Sequence, residues 1–473
     1  MPDPVYTFGI EFVTGSFTDV TTRVERGSWG STIVDMLRQP AVGHGLFELH
    51  NQDGTMSPRN NTNMRPGKAV KLTATHAGSS YPLFFGRLTD ISASSRLGER
   101  TALLECVDDW DRVSRVRYTT GLHFETNIAS LFTVLMSLSK VNSFSADTLV
   151  DKTGFAWYQD RDAISALHDL VKSGNYQLVV DGNGTYYLRD RYWQAFASAV
   201  NTYSVADEVR VRLGQESVVN QMKMTGVTRK MSSNVTTLAF LIDPIFIPGS
   251  SGIGFFLTFQ DPNEPSAAVP VTSLVAQVSS QDYYGATNSD GSGADLTANL
   301  SSQLTSFAST AVASIFNGNA TPAWLTRFQI RGFPTVRVPT IGTQYEVASS
   351  QTQFGVKELT IDSALVQNQF FMDSLSRTVV QGCKDGIAVL KLGLANEFPD
   401  VLDNLNGDIV SVVDAFGGNT TQWRIRGVSH DLELVQGLRH GVAYDMETFE
   451  NAPWLVLDHT TFGQLDNERL LAV

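Results

Sequence analysis

Leu46-Phe-Glu-Leu-His-Asn-Gln-Asp-Gly-Thr-Met-Ser-Pro-Arg-Asn-Asn-Thr-Asn-Met-Arg-Pro-Gly67, followed by Val70-Lys-Leu-Thr-Ala74 and Leu83-Phe-Phe-Gly-Arg-Leu-Thr-Asp-Ile91, is the stretch that decides the fold. Three runs alternate apolar and polar residues, the period of a half-buried strand. A long loop rich in Asn, Ser and Pro separates the first run from the second. The stretch offers no catalytic chemistry, only a β module with one polar excursion.

The pattern extends outward on both sides. Residues 5–13 and 17–26 read as paired strands, joined by turn chemistry at Thr14-Gly-Ser16. A strand near Gly45–Asn51 follows, then strands at 68–75, 82–91 and 100–107. Short strands at this spacing, with no long helix between them, predict a barrel or sandwich over residues 1–115.

The character then changes. Over Asn127–Lys140 apolar residues fall at 128, 131, 132, 135 and 138, a helical spacing. Asp162–Gly174 reads as a second helix with Ile164, Leu167, Leu170 and Val171 on one stripe. A hairpin follows, 176–180 and 185–189, turning at Asp181-Gly-Asn-Gly184. Residues 116–200 are therefore expected to form a small α/β module.

Strands return at Val209–Leu213 and Val218–Thr228, and again at Arg327–Arg337. A helix is expected over Leu365–Gly382, then strands at 386–394, 408–415 and 421–428, with a turn at Gly417-Gly-Asn419 and a meander at 431–434 and 441–447. Residues 201–232 with 330–450 thus read as a second β-barrel. Between them, 233–329 reads as an insertion. Leu296, Leu300, Leu304, Phe307, Ala311 and Ile315 recur at three- and four-residue steps, predicting one long helix over Leu296–Phe316. Residues 451–473 form a tail whose Trp454-Leu-Val-Leu457 is apolar.

Composition bounds the function. The chain has 473 residues, 42% hydrophobic, with 35 Lys and Arg against 48 Asp and Glu, a net charge of -13. That balance argues against tight nucleic-acid binding, which needs cations to neutralise phosphates. Cys106 and Cys383 exclude a disulfide scaffold and a multi-cysteine zinc site, and both are expected reduced and semi-buried. No basic, apolar leader opens the chain and no run spans a bilayer, so no signal peptide and no stable membrane insertion are expected.

Candidate chemistry is thin. Gly249-Ser-Ser-Gly-Ile-Gly254 lacks the lysine and following helix of a phosphate cradle and reads as a loop. None of the eight histidines forms a ligand-spaced pair. His430 sits at a strand end, placed to fold back on backbone carbonyls. Cys106 has carboxylates rather than a histidine beside it, the wrong setting for a nucleophile. The acid pairs Asp108/Asp109 and Asp400/Asp403 read as solvated surface or a calcium-tolerant turn, a hydrolase being the minor alternative. Asp53-Gly54 and Asp181–Gly184 read as turns rather than calcium loops. The seven scattered tryptophans read as core filling. No enzyme activity, cofactor or metal is expected.

Several motifs in order carry a resemblance: Asn51-Gln-Asp-Gly-Thr-Met-Ser-Pro58, Pro66-Gly67, Leu83-Phe-Phe-Gly86, the Leu167–Leu170 helix with Gly174, Asp181–Gly184, Gln353-Phe-Gly355, Gly407-Asp-Ile-Val410 and Trp423-Arg-Ile-Arg-Gly-Val-Ser-His430. Together they resemble the hub proteins of phage tail tips and baseplates, similar to the hubs of contractile tails and type VI secretion spikes. The match spans most of the chain except 233–329. Longer relatives continue into fibre or lytic domains, which are not expected in this sequence.

The resemblance implies a mainly β fold with α+β insertions, two tail-tube-like β-barrels joined by a small α/β module. It implies a virion structural protein, assembled in the host cytoplasm, that forms a homotrimeric ring closing the distal tail tube. Its implied partners are the distal tail protein or tail tube, the tape-measure protein, and tail fibre or spike proteins, with DNA only in transit through an acidic lumen. The Asn51–Pro66 loop then reads as an inter-subunit contact, with Asn51, Asp53, Gly54, Ser57, Pro58, Pro66 and Gly67 as its candidate residues. Shortening it is expected to impair assembly and leave the monomer folded. The alternative is a receptor- or carbohydrate-binding virion protein, suggested by the β content and aromatics.

Overall fold

In the computed structural model, strand and helix account for 52% and 15% of the chain. The structure describes residues 3–448 except 34–40, 97–98, 142, 148, 150, 175, 191–198, 205–207, 262–263, 265–266, 339, 403, 414–419 and 436, together with 454–455 and 470–471. The expected turn at 417–419, Asp403 and most of the 451–473 tail lie outside the described residues.

The two ends of the chain build one sheet. Its hydrogen-bonded path runs through the strands Glu208–Leu213, Ala388–Ala395, Arg439–Thr448, Thr420–Glu433, Val24–Thr32, His44–His50, Glu99–Asp108, Ser79–Arg96, Ala69–His76, Val5–Val13 and Ser16–Asp19. Ile409–Val413 and Asn201–Tyr203 extend it beside Thr420–Glu433, making thirteen strands. The mainly β expectation holds, but the two β regions are not closed barrels. The path is open, with Glu208–Leu213 at one end and Ser16–Asp19 at the other.

The seam between the halves is antiparallel: Arg26 faces Glu433, Trp29 faces His430 and Thr32 faces Gly427. Strand residues alternate between faces, so one face of this sheet collects Phe8, Ile10, Phe47, Leu49, Leu72 and Leu104 with Leu390, Leu392, Ile425, Leu432 and Tyr444 in one core. Burying one such aromatic is worth about 1.5–3 kcal/mol, so the shared core is the main tie between sequence regions 300 or more residues apart.

Three smaller cores surround it. The α/β module packs helices Ile128–Leu138 and Ala163–Gly174 against the hairpin Gln177–Val180/Tyr186–Arg189. Asn127 caps the first helix, its side chain accepting from Ala129 N at 2.7 Å. A three-stranded sheet of Ile341–Glu346, Gln221–Gly226 and Glu358–Ser363 packs under the helix Gln369–Cys383. The residues read as a second barrel are therefore divided between the large sheet and this helix-backed layer.

The insertion has its own apolar core, including Leu238, Ile247, Phe259, Leu325, Phe328 and Ile330. Ala323–Arg337 is its spine, pairing with five shorter strands. The helix expected over Leu296–Phe316 does not form: Leu300–Ser306 and Thr310–Asn317 are the two arms of a hairpin. The four-residue steps that suggested a helix are also multiples of two, so strands satisfy them equally.

Candidate assembly surface and the buried junction behind it

The Asn51–Gly67 loop is an ordered cap rather than a floppy excursion. Asn51 is buried, and its Oδ1 accepts from Met56 N at 2.9 Å. Its carbonyl accepts from Gly54 N at 3.0 Å, and the chain winds on through Ser57 N to Gly54 O, Asn61 N to Ser57 O and Met64 N to Asn61 O. Asn60 and Asn61 donate their side-chain amides to Gly54 O and Thr55 O at 3.2 and 3.1 Å. Gly54 takes φ +71° and Gly67 φ +88°, a region that favours glycine. Met56 and Met64 are buried in the shared core and pin the loop down.

Asp53 is exposed and held by Arg23 at 2.9 and 2.7 Å, a bidentate pair. Those hydrogen bonds, with two from Thr55, keep its carboxyl well below the usual carboxylate range. Pro58, Arg59, Asn60, Arg65, Pro66 and Gly67 face solvent, and Ser57 is half-buried. Of the expected contact residues, Asn51 is thus a structural anchor, while Asp53, Pro58, Pro66 and Gly67 are free to meet a partner.

Sequence reading missed the residues that hold the loop: Arg23, Arg100, Met56 and Met64. Arg100 donates to Gln52 O at 3.1 Å. The two methionines carried a usable signal, being isolated apolar residues inside a polar loop. Arg23 and Arg100 carried none, because their role comes from strand register.

Behind the loop, at the seam, polar groups are buried in a chain. Tyr6 Oη lies 2.8 Å from His440 Nδ1, and His440 Nε2 lies 3.0 Å from His430 Nδ1. The Trp29 ring stacks on His430, centroids 4.7 Å apart and 10° from parallel. His430 therefore meets a second histidine, not the backbone carbonyls expected. Burial holds both imidazoles below their ordinary range, His440 down to about 4. Two neutral imidazoles and a phenol can run one directional chain of hydrogen bonds, and a charge added to it is penalised by burial rather than by loss of a partner.

Asp109 is buried and Asp108 half-buried, correcting the pair's reading as solvated surface. Asp108 accepts from Gly43 N at 2.7 Å and Trp110 N at 3.0 Å. Burial outweighs those bonds and pushes its carboxyl up to about 7. Asp109 instead pairs with Arg87 and Arg112 at 3.0 and 3.1 Å. Asp108 and His430 border a cleft of about 70 Å³, which also touches Asp181 and Asn406. Among the described residues, no group of three or more His, Cys, Asp or Glu is placed to hold a metal ion. Cys106 and Cys383 are both buried, and burial pushes the Cys106 thiol well up from its usual range.

The arrangement can hold strands in register and present a rigid loop. No family model matches the sequence, and no curated protein matches it. Solved structures do match in shape. A tail protein from Neisseria meningitidis MC58 superposes with a TM-score of 0.52 at 8% identity, covering 94% of this chain and 97% of that one. The chain has the fold of a phage tail protein. The 43 kDa tail protein of prophage MuSo2 from Shewanella oneidensis superposes with a TM-score of 0.50 at 10% identity, covering 93% and 97%. The tail-protein fold is therefore matched over nearly its whole length, with little sequence in common.

Proposed function

We propose that this chain is a structural virion protein of the tail, a hub whose ring closes the distal end of the tail tube. The observation that carries the reading is the sharing of one sheet and one core by the two chain halves, in a fold matched end to end by tail proteins. Two β regions side by side in each subunit let three copies offer six similar units to a six-fold tube. The ordered Asn51–Gly67 loop, rigid and solvent-facing, meets the neighbouring subunit. The ring docks the tape-measure protein, contacts the distal tail or tube protein and fibre or spike proteins, and opens for the genome. The charge of -13 suits passage without retention, since phosphates are repelled rather than held.

Mass photometry of the purified chain tests the ring. A species at three times the 51.7 kDa chain mass is expected. A strict monomer that also fails to co-purify with tube and tape-measure proteins overturns the reading.

A further inference from the structure

Two uncharged runs of sequence meet in one sheet. Residues 244–260 and 296–326 contain no Asp, Glu, Lys or Arg, in a chain where such residues make up 18%. They supply the strands Ser251–Thr258, Leu300–Ser306 and Thr310–Asn317, which form a three-stranded antiparallel sheet with the last in the middle. Of the run expected to be a loop, Gly249–Gly254, the first two residues form a turn and Ser251–Gly254 open the first strand.

Alternation divides the sheet into two faces. Ala311, Ala313 and Ile315 are buried in the insertion core. The opposite face presents Phe256, 60% exposed, and Phe316, 49% exposed. Phe256 lies opposite Val312, and Phe316 lies four residues further along that strand. Strand geometry then puts the two rings about 14 Å apart. Between them Gly254 faces Ser314, and a Cβ at Gly254 would find nothing nearer than 3.9 Å. The result is a shallow neutral trough, with an aromatic ring at each end and the exposed Ser301 and Gln303 along one side.

We propose that this face binds a chain of neutral sugars. A pyranose offers C–H groups on its faces and hydroxyls around its rim. The first pack on an aromatic ring and the second bond to Ser and Gln, with no ion to desolvate on either side. Charge excludes the competitors. Nucleic acid, anionic lipid and acidic glycans all need cations, and this face has none. Area excludes a stable protein partner: three strands of about seven residues make a patch of roughly 300 Å², well under the roughly 800 Å² that each side of a standard interface buries. The proposal does not depend on the ring, because it concerns only the insertion.

The test is binding of the full-length chain to an array of neutral polysaccharides (glucans, mannans, galactans and chitin oligomers), with dextran sulfate as the charged control. Binding to at least one neutral glycan and not to the control is expected. F256A and F316A should each weaken it about tenfold, the worth of one well-placed ring. G254V should abolish it while leaving both rings in place, because the new side chain fills the trough. Circular dichroism checks that all three variants fold, which their exposed positions favour. Failure to bind any neutral glycan, or binding that survives F256A together with F316A, overturns the proposal.

Discussion

The large sheet and the insertion are both β, yet they are held together differently. At the seam of the large sheet, Tyr6, His440, His430 and Trp29 are buried together, and the half-buried Asp108 shares a cleft with His430. The insertion has no histidine, and its apolar core is accompanied by the buried Thr297, Ser309, Thr310 and Asn317. Among the described residues its one buried carboxylate is Asp282, gripped by Arg331 at 2.6 and 2.9 Å. The difference follows from sequence distance. Insertion strands pair over shorter spans, the spine Ala323–Arg337 meeting partners 38 (Ala286 to Trp324) to 96 (Thr236 to Gly332) positions away. Trp29 and His430 are 401 positions apart, and a slip of one residue would turn every side chain to the wrong face. Buried polar partners that bond in only one register penalise that slip.

If that account holds, the two regions unfold separately. Phe47 is fully buried against Phe8, Trp29 and Phe84. F47A should cost about 3–5 kcal/mol, the usual range for a large core aromatic. Phe328 is the counterpart in the insertion, 1% exposed and edge-on to Phe255 at 5.2 Å. F328A should cost a similar amount, but only to the insertion. Hydrogen exchange should show F328A loosening 236–335 while Val24–Thr32 and Thr420–Glu433 keep their protection. Ala308 N donates to Thr120 O and Ser309 Oγ to Gln159 Oε1, tying the hairpin tip to the α/β module. One shared, cooperative loss of protection in both variants would break the comparison.

Acid should act on the large sheet and spare the insertion. His440 titrates near 4 when folded against an ordinary 6.5. Above 6.5 it is neutral in both states. As pH falls from 6.5 towards 4, the unfolded chain takes up the proton first, and about 3 kcal/mol of stability is lost. Asp108 works the other way: its folded value of about 7 exceeds the ordinary 3.8. The folded state holds that proton better, so about 4 kcal/mol is regained as pH falls from 7 to 3.8. His430, also held below its ordinary range by burial, adds to the loss, so the gain at Asp108 opposes two histidines. Urea titrations between pH 7 and 4 should therefore show D108N losing stability more steeply with acid than the parent, and the double variant H430Q/H440Q gaining it. Parallel slopes in the two variants would show that neither group titrates as its burial requires.

The Asn51–Gly67 loop separates anchoring from contact. Met64 is fully buried, and M64A should cost about 2–5 kcal/mol. Arg59 is exposed, so R59E should stay within about 0.5 kcal/mol of the parent by thermal melting. If the loop meets a neighbouring subunit, R59E should nevertheless shift mass photometry towards monomer. Deleting the whole loop is now a poor test of assembly, because it removes Met56, Met64 and Asn51 from the core.

Much of this was legible locally. The helix stripe from Ile128, the Asp181–Gly184 turn and the strands around Asn51 all depend on neighbours in sequence, and pattern reading found them. The Leu300/Leu304 and Ala311/Ile315 spacings failed because steps of four belong to both periods. The absence of any charge from 296 to 326 was the missed signal, since a surface helix needs a polar face and usually a charged one. The seam was illegible for another reason. Nothing near His430 announces His440 across the hairpin, still less Trp29 or Tyr6, and only the folded register brings them together. Asp108 and Asp109 read as surface because their burial is set by distant strands and by Arg87.

The smallest expected effect isolates backbone from packing. Gly67 and Gly291 both adopt positive φ, +88° and +82°. A Cβ at Gly67 would touch nothing within 4 Å, and one at Gly291 would meet only Thr326 Oγ1 at 3.7 Å. Substitution by Ala therefore adds no clash at either site and leaves only the left-handed backbone strain, about 1 kcal/mol. Because the two glycines serve different cores, the same cost should appear in different places. G67A should lower the protection of the large sheet, and G291A that of the insertion, each by about 1 kcal/mol in hydrogen exchange. Gly54 provides the control, since its Cβ would sit 2.6 Å from Asn60 Nδ2 and push that amide off Gly54 O. G54A should therefore cost more than G67A, although both glycines lie in one loop with similar φ. Equal costs would mean that the Asn60 bond contributes nothing, and that the cap is held by its two methionines, Asn51, Arg23 and Arg100.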